Sequence, residues 1–209
     1  AGIGLALAMY ALSEGPAYGW GNPLIIGSLL LGVILLVIFA IFELRTTEPM
    51  LNLRLLSTGL FRNSNLITVL TGAGFMGILY VAPLFLQEAR GVDALTSGLT
   101  TFPEALGVVT GTQIAARIYG RIGPRRLMTG GIISAAIMMS LLAFIDLGTN
   151  LWFMRILMFL TGASMAFIFL STQTAAFANI TASDTGHASA LLNTQRQVGA
   201  ALGVAVLST

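Results

Sequence analysis

The residue best placed to carry chemistry is Glu104, a carboxyl side chain within the membrane-length stretch LTSGLTTFPEALGVVTGTQIAARI. On a helix, Glu104 lies about eight residues from the end near Thr96, which is roughly 12 Å at 1.5 Å per residue. Acidic residues at such a depth are rare and usually serve a function or have a partner. Two interpretations stay open. Glu104 either binds a proton or a cationic substrate, or it is a structural group that pairs with an arginine or faces a wet cavity mouth.

This stretch has two different faces when it is drawn as a 3.6-residue helix. One face is small and polar and carries Ser97, Thr100, Thr101, Glu104, Gly107, Val108 and Gly111. The other is apolar and carries Leu99, Phe102, Leu106 and Val109. Pro103 has no N–H to donate to the Leu99 carbonyl, so we expect a helix kink at Pro103. Buried helices tolerate such a break where neighbours or water satisfy the freed carbonyl.

Three more polar residues are candidates for proton coupling or substrate binding. Arg196 and Asn193 lie three residues apart in NTQRQVGAALG and share a helical face. Arg196 is either a cation at the floor of a cavity or a side chain that reaches the aqueous surface from a helix end. Gln87 ends another apolar run, where a solvated polar residue is also expected.

Basic residues are concentrated in RIYGRIGPRR, residues 117–126, which holds four of the ten arginines. Gly123 and Pro124 interrupt the helical pattern and predict a tight turn. Three arginines there can cap helix C-termini or pair across the membrane face: Arg121, Arg125 and Arg126. Positive charge between two apolar runs is also what membrane topology requires, because cytoplasmic loops are rich in basic residues.

The composition indicates what kind of elements position these residues. Of 209 residues, 56% are hydrophobic and 9% are charged, far below the roughly 25% charged residues of soluble domains. The net charge is only +2, so the broad basic surface that nucleic-acid binding needs is absent. The chain contains no cysteine, which excludes disulfides and thiolate metal sites. We therefore predict a chain embedded in the lipid bilayer.

Motifs of enzymes and cofactor sites are missing from the sequence. It contains no HExxH pair, no phosphate-binding Walker loop and no GxGxxG after a strand. His187 is the single histidine and has no potential metal ligands near it in the sequence. We expect a protein that is not an enzyme and uses no cofactor or metal.

The predicted fold class is all-α, a polytopic transmembrane bundle of about seven helices. A hydrocarbon core of about 30 Å needs about 20 apolar residues of helix. By that measure the chain contains seven segments, at 1–13, 23–43, 63–87, 96–118, 126–146, 151–174 and 187–209. The first and last segments run to the chain ends, so we expect the chain to be part of a longer protein.

The distribution of arginine predicts how the bundle is oriented in the membrane. The loops at 44–62 and 119–125 together hold five arginines, and Arg126 follows directly after the second loop, whereas the loops on the opposite side hold only Arg90. The positive-inside rule makes the arginine-rich side cytoplasmic. In 44–62, Leu and Met alternate with Arg and Glu around Pro49, which predicts an amphipathic linker on the cytoplasmic surface.

Four stretches, in this order, are spread along nearly the whole chain and resemble the fourteen-helix drug:proton antiporters of the major facilitator superfamily, the EmrB/QacA type. They are SEGPAYGWGNP, EPMLNLRLLSTGLFRNSN, LYVAPLFLQEARGVDALTSGLTTFPEALG and GHASALLNTQRQVGAALGVAV. The turn after Ala116 also resembles the second, degenerate copy of the superfamily's loop motif. The small, glycine and basic positions of that motif are held by Ala116, Arg121, Gly123 and Arg125. Gly120 stands at the motif's acidic position, so this half lacks the acid of the motif's gating ion pair.

The resemblance implies a domain organisation and a function. Residues 1–43 would be two inserted transmembrane helices, the first truncated. Residues 44–62 would be the cytoplasmic linker, and 63–209 the C-terminal transporter half without its last helix. The implied protein lies in the plasma or inner membrane and, together with a missing N-terminal half, exports drugs or other lipophilic or cationic small molecules by alternating access in exchange for protons. A proton-coupled symporter of the same fold and a non-transport membrane subunit remain alternatives. Glu104 matches no family motif.

Overall fold

The computed structural model of the chain describes residues 2–46 and 53–207. The α-helices in these residues are α1 Gly2–Tyr18, α2 Pro23–Arg45, α3 Gly59–Leu84, α4 Ala94–Thr101, α5 Pro103–Ile122, α6 Pro124–Ala143, α7 Leu151–Phe177 and α8 Thr185–Leu207. A π-helical turn, Phe85–Ala89, continues α3, and short 3-10 turns occur at Leu53–Ser57 and Ala182–Asp184. The described residues contain no β-strand, so the predicted all-α fold is confirmed.

Each of the seven predicted segments is helical, but three of the predicted limits are wrong and the fourth segment is divided into α4 and α5. Helix α5 continues past residue 118 to Ile122, inside the predicted loop 119–125. Helix α1 continues past residue 13 to Tyr18, because a helix satisfies its own backbone hydrogen bonds and can therefore extend through the polar residues after Leu12. Helix α3 begins at Gly59, inside the predicted linker 44–62. Residues 47–52 of that linker, which include Pro49, lie outside the described residues.

Four of the described helices are long and apolar enough to cross a membrane. They are α2, α3 with its π-helical turn, α6 and α7. The other predicted spans differ in length or polarity. Helix α1 has 17 residues, α4 and α5 are separate helices, and α8 carries several polar residues along its length.

Local sequence explains where several helices begin. The Asn22 side chain accepts a hydrogen bond of 2.9 Å from the Leu24 backbone N–H at the start of α2, and Pro23 follows at the first helical position. Asp93 caps α4 in the same way, through a bond of 3.1 Å from the Thr96 backbone N–H. Gly123 separates α5 from α6 with a φ of 81°, a conformation that glycine adopts without a steric penalty.

The helices form two compact units, Ala1–Gly77 with Ala176–Thr209, and Ile78–Ala175. The core of the first unit contains buried apolar side chains of α3, α7 and α8, among them Phe61, Ala176 and Leu191. The core of the second contains Ala82, Leu86, Met154 and Met158. Glu104 and Gln87 belong to the second unit, whereas Asn193 and Arg196 belong to the first.

Candidate functional site

The polar face predicted for the fourth segment is buried in the structure. Ser97, Thr100 and Glu104 are buried in the second unit, and so are Gly107 and Gly111 farther along α5. The opposite face is exposed, at Leu99, Phe102, Leu106 and Val109. The predicted division of this segment into two faces is therefore confirmed, and each face continues from α4 into α5 across the helix break.

Glu104 is the most distinctive group on this face. It is the second residue of α5, and only 1% of its surface is exposed. Neither carboxyl oxygen has a hydrogen-bond partner among the described residues. A buried carboxylate without a partner is costly, although the N-terminal end of a helix favours negative charge. These surroundings suit a group that binds a proton or a cation.

Helix α7 fixes the position of Glu104 through its backbone. A Cβ atom added at Gly162 of α7 would overlap the Glu104 carbonyl oxygen. One turn farther on, a Cβ added at Gly107 would overlap the Phe159 carbonyl oxygen, and one at Gly111 would lie 2.7 Å from the Cα of Ala163. Glycines at these three positions let the backbones of α5 and α7 touch. The carboxyl group is thus held on a helix pair that has no room for side chains at its contact.

The helix break lies directly before Glu104. The Phe102 N–H donates to the Gly98 carbonyl at 2.8 Å and so ends α4, and Pro103 begins α5 without an N–H of its own. The next bond is short-range, from the Ala105 N–H to the Phe102 carbonyl at 3.0 Å. A proline break of this kind is a position at which a helix can bend.

Gln87 contacts the same polar face at the start of α4. Its side-chain amide lies in the π-helical turn and donates a hydrogen bond of 3.4 Å to the Ser97 hydroxyl. Turns of this type are frequent at functional sites. Asp93, the cap of α4, is held by the Thr96 side chain and backbone N–H, and these hydrogen bonds keep the pKa of its carboxyl below its usual value. Gln87 is itself exposed, so of the four predicted polar candidates only Glu104 is buried, and Gln87 contacts the same face through Ser97.

Arg196 and Asn193 are both exposed on α8 in the first unit. The glycines that follow them face α3. A Cβ added at Gly199 would overlap the Val69 carbonyl oxygen, and one at Gly203 the Ala73 carbonyl oxygen. Two glycines spaced four residues apart thus let α8 approach α3 closely.

The arginine-rich turn is tight, and its arginines lie at two different helix ends. Arg121 is in the last turn of α5, where the helix dipole favours a positive charge. Arg125 and Arg126 are in the first turn of α6, directly after Gly123 and Pro124. Both are exposed, as are Ala116 and Gly120 of the loop motif.

A row of buried hydroxyl groups on α7 was not singled out from the sequence. It consists of Thr161, Ser164, Ser171 and Thr172. The Ser164 hydroxyl lies 2.7 Å from that of Ser134 on α6, whereas the hydroxyls of Thr161 and Ser171 have no partner among the described residues. Spacings of three, ten and eleven residues from Thr161 repeat with the helical period, and this pattern is the signal that could have revealed the row.

Two other kinds of site are not supported by the geometry. No group of three or more potential metal ligands lies together among the described residues. An apolar cavity of about 250 Å³ in the second unit is lined in part by Phe85, Met154 and Met158. Its volume is below the range of roughly 300–1,000 Å³ that is usual for drug-sized ligands, so we assign no substrate to it.

Comparison with known proteins identifies the family. Residues 1–204 match the model of the Major Facilitator Superfamily. The puromycin resistance protein pur8 of Streptomyces alboniger is 32% identical over 99% of this chain, and the tetracenomycin C resistance and export protein of Streptomyces glaucescens is 29% identical over 95%. The lincomycin resistance protein LmrB of Listeria innocua is 25% identical over 99%.

The chain spans about two fifths of these curated relatives, 42%, 37% and 44% of their respective lengths. Their names are those of drug resistance and export proteins, in keeping with the drug:proton antiporter branch that the sequence resembles. Proteins of this family handle small molecules in a lipid membrane, and helices able to span that membrane are present here. The chain therefore belongs to the major facilitator superfamily, a family of multi-pass membrane transporters rather than enzymes.

Proposed function

We propose that the full-length protein exports drugs or other lipophilic or cationic small molecules by alternating access, in exchange for protons. The names of the relatives support export of a drug, because three of them are resistance proteins for different antibiotics. The observation that carries the proton coupling is the fully buried Glu104, whose two carboxyl oxygens have no hydrogen-bond partner in the part of the chain that the structure describes.

The coupling would follow from competition for one carboxyl group. When Glu104 holds a proton it is neutral and cannot pair with a cationic substrate, and when a cation binds, the proton must leave. The membrane potential contributes about 2.3 kcal/mol per charge for each 100 mV. The break between α4 and α5 lies next to this carboxyl, so a change in its charge would act directly on the bend.

Glu43 is a second buried acid, and comparison with it favours Glu104 as the group that couples transport to protons. Glu43 near the end of α2 is also buried, but it takes part in an interaction with its surroundings. A carboxylate that is already engaged is less suited to exchanging a proton with a substrate than one without partners. We therefore assign coupling to Glu104 and a structural role to Glu43.

The proposal includes an orientation and a division of the chain. The loops at 44–62 and 119–125 would face the cytoplasm, so Gln87 and the start of α4 would lie on the outer side. Residues 1–43 would be the inserted helix pair and 63–209 most of the second transporter half. The substrate would bind between that half and a first half supplied by the rest of the protein.

The direct test is substrate-driven proton movement in the full-length transporter. Inside-out vesicles with an acidified lumen and a pH-sensitive dye are given a panel of lipophilic cations. Antiport is expected to move protons out of the lumen as the cation enters it. Protons that enter together with the substrate would favour the symporter, and the absence of any substrate-dependent signal would favour a non-transport role.

The proposed orientation is tested by substituted cysteines, because these 209 residues contain no cysteine. Glu88 in the π-helical turn and Arg121 at the end of α5 are both exposed, and the orientation places Glu88 on the outer side and Arg121 on the cytoplasmic side. We expect Glu88→Cys to react with a membrane-impermeant thiol reagent added outside intact cells roughly tenfold faster than Arg121→Cys, because the reagent reaches only an outer thiolate. Equal rates at the two positions, or labelling of Arg121→Cys alone, would contradict the orientation.

A further inference from the structure

A groove in the first unit lies between α1, α3 and α8 and is not used by the proposed transport mechanism. Its volume is about 520 Å³, within the range of roughly 300–1,000 Å³ that is typical of ligand sites. From α1 it is lined by Ala6, Met9, Tyr10, Ser13 and Glu14. Glu14 is the charged residue among the lining side chains, and none of them is basic.

The lining residues of α1 form a row that changes in polarity along the helix. They occur at positions i, i+3, i+4, i+7 and i+8 from Ala6, which places them on one helical face. The row is about 12 Å long at 1.5 Å per residue. Ala6 and Met9 make one end apolar, whereas Ser13 and Glu14 make the other end polar. One end of the groove is therefore apolar and the other is polar, which matches the tail and the head of an amphiphilic molecule.

Small side chains of α8 form the back of the groove. The contact of Gly199 and Gly203 with α3 holds α8 against that helix, and the alanines beside these glycines, Ala200 and Ala201, line the groove. Their side chains end at Cβ, so the space between α1 and α8 is not filled. Met76 of α3 contributes a flexible apolar side chain of the kind that adapts to varied ligands.

The carboxylate of Glu14 lies near the end of α1, close to aromatic residues. Glu14 is half-buried and four residues before the helix ends at Tyr18. The Trp20 ring folds back onto α1, since a Cβ added at Gly15 would lie 2.7 Å from that ring. Trp and Tyr collect at the membrane interface, where lipid head groups lie. Tyr10, one turn before Glu14 on the same face, adds an aromatic ring that attracts cations.

We infer that this groove binds an amphiphile with a cationic head, an ammonium or quaternary ammonium group that pairs with Glu14 while an apolar tail lies along Met9 and the alanines of α8. A membrane lipid with an ammonium head group and a free lipophilic cation share this chemistry. The site is formed by the first unit alone, so it does not depend on proton coupling at Glu104.

The test uses the full-length transporter in detergent and three fluorescent probes with the same diphenylhexatriene tail. Their heads are trimethylammonium, carboxylate and uncharged, and binding is followed by energy transfer from Trp20, with the other tryptophans replaced by Phe. We expect the cationic probe to bind at least tenfold more tightly than the other two. Glu14→Gln should remove that difference, because it removes the one partly buried ion pair that the cationic head makes. Equal binding of the three probes, or an unchanged preference in Glu14→Gln, would overturn the inference.

Two controls separate charge recognition from folding and identify the source of the ligand. Glu88→Gln removes an exposed acid that does not line the groove, so it should leave the preference unchanged. Ala201→Phe keeps the acid but fills the groove, so it should weaken all three probes, and unchanged binding would contradict the location. Competition by phosphatidylethanolamine identifies a lipid head group as the ligand, and competition by tetraphenylphosphonium alone identifies a free cation.

Discussion

We expect Glu104→Gln to suppress substrate-driven proton movement in the full-length transporter while leaving the protein inserted in the membrane. Glutamine has nearly the same size as glutamate, but it cannot release or accept a proton near neutral pH. Because Glu104 is fully buried, the substitution removes a titratable group without removing an exposed charge. We expect the rate of proton movement in inside-out vesicles to fall by roughly tenfold or more.

The matched control is Glu88→Gln, which makes the same chemical change at an exposed acid in the π-helical turn. This variant should keep wild-type proton movement, since a solvated carboxylate exchanges protons with water and is not coupled to a buried bend. Binding of a lipophilic cation, measured separately, should also weaken in Glu104→Gln if proton and substrate compete for one carboxyl. Wild-type proton movement in Glu104→Gln would show that Glu104 is structural and that coupling lies elsewhere in the protein.

The second large effect is expected from Gly162→Ala, which inserts a methyl group between α5 and α7. The new Cβ would overlap the Glu104 carbonyl oxygen, and a backbone atom cannot move aside as a flexible side chain can. Overpacking of this kind costs about 1–3 kcal/mol. We expect a lower midpoint of thermal unfolding for the detergent-solubilised full-length protein, and Gly107→Ala should behave in the same way at the Phe159 carbonyl.

Two glycines provide matched controls for this prediction. Gly98 in α4 and Gly130 in α6 are helical, and an added Cβ would meet no atom within 4 Å at either position. Alanine there should be neutral or stabilising by up to about 1 kcal/mol, because glycine is a poor helix former. If Gly162→Ala unfolds at the same temperature as Gly98→Ala, the close contact of α5 with α7 is contradicted.

The contact of α7 with α5 at Gly162 and the buried acid both involve Glu104. The Glu104 carbonyl oxygen that faces Gly162 belongs to the same residue as the unpartnered carboxyl group. A displacement of α5 away from α7 would therefore move the carboxyl as well. Gly162→Ala is expected to impair proton coupling even in the fraction of the protein that remains folded, whereas Gly98→Ala should not.

The sequence alone determined the class of the protein, the number of its hydrophobic segments and the faces of the fourth one. These properties depend on composition and on the 3.6-residue period, which are local and appear directly in the order of residues. The tight turn at Gly123 and the close approach at Gly199 and Gly203 were predictable for the same reason, since only glycine fits such positions. The end of α1 and the start of α3 were not predictable in this way. Polar residues at a membrane surface can be helical or non-helical with little difference in free energy.

The tertiary structure decided which helices meet and therefore which polar groups are satisfied. Sequence spacing marks Gly107 and Gly111 as contact glycines but does not name Gly162 of α7 as their counterpart, nor does it pair Gln87 with Ser97. Glu104 could be selected from its depth, whereas the absence of any partner for its carboxyl depends on every side chain packed around it. The groove beside Glu14 likewise exists because α1, α3 and α8, which are distant in the chain, leave a space between their small residues. Such features depend on long-range packing, which the pattern of a single segment does not contain.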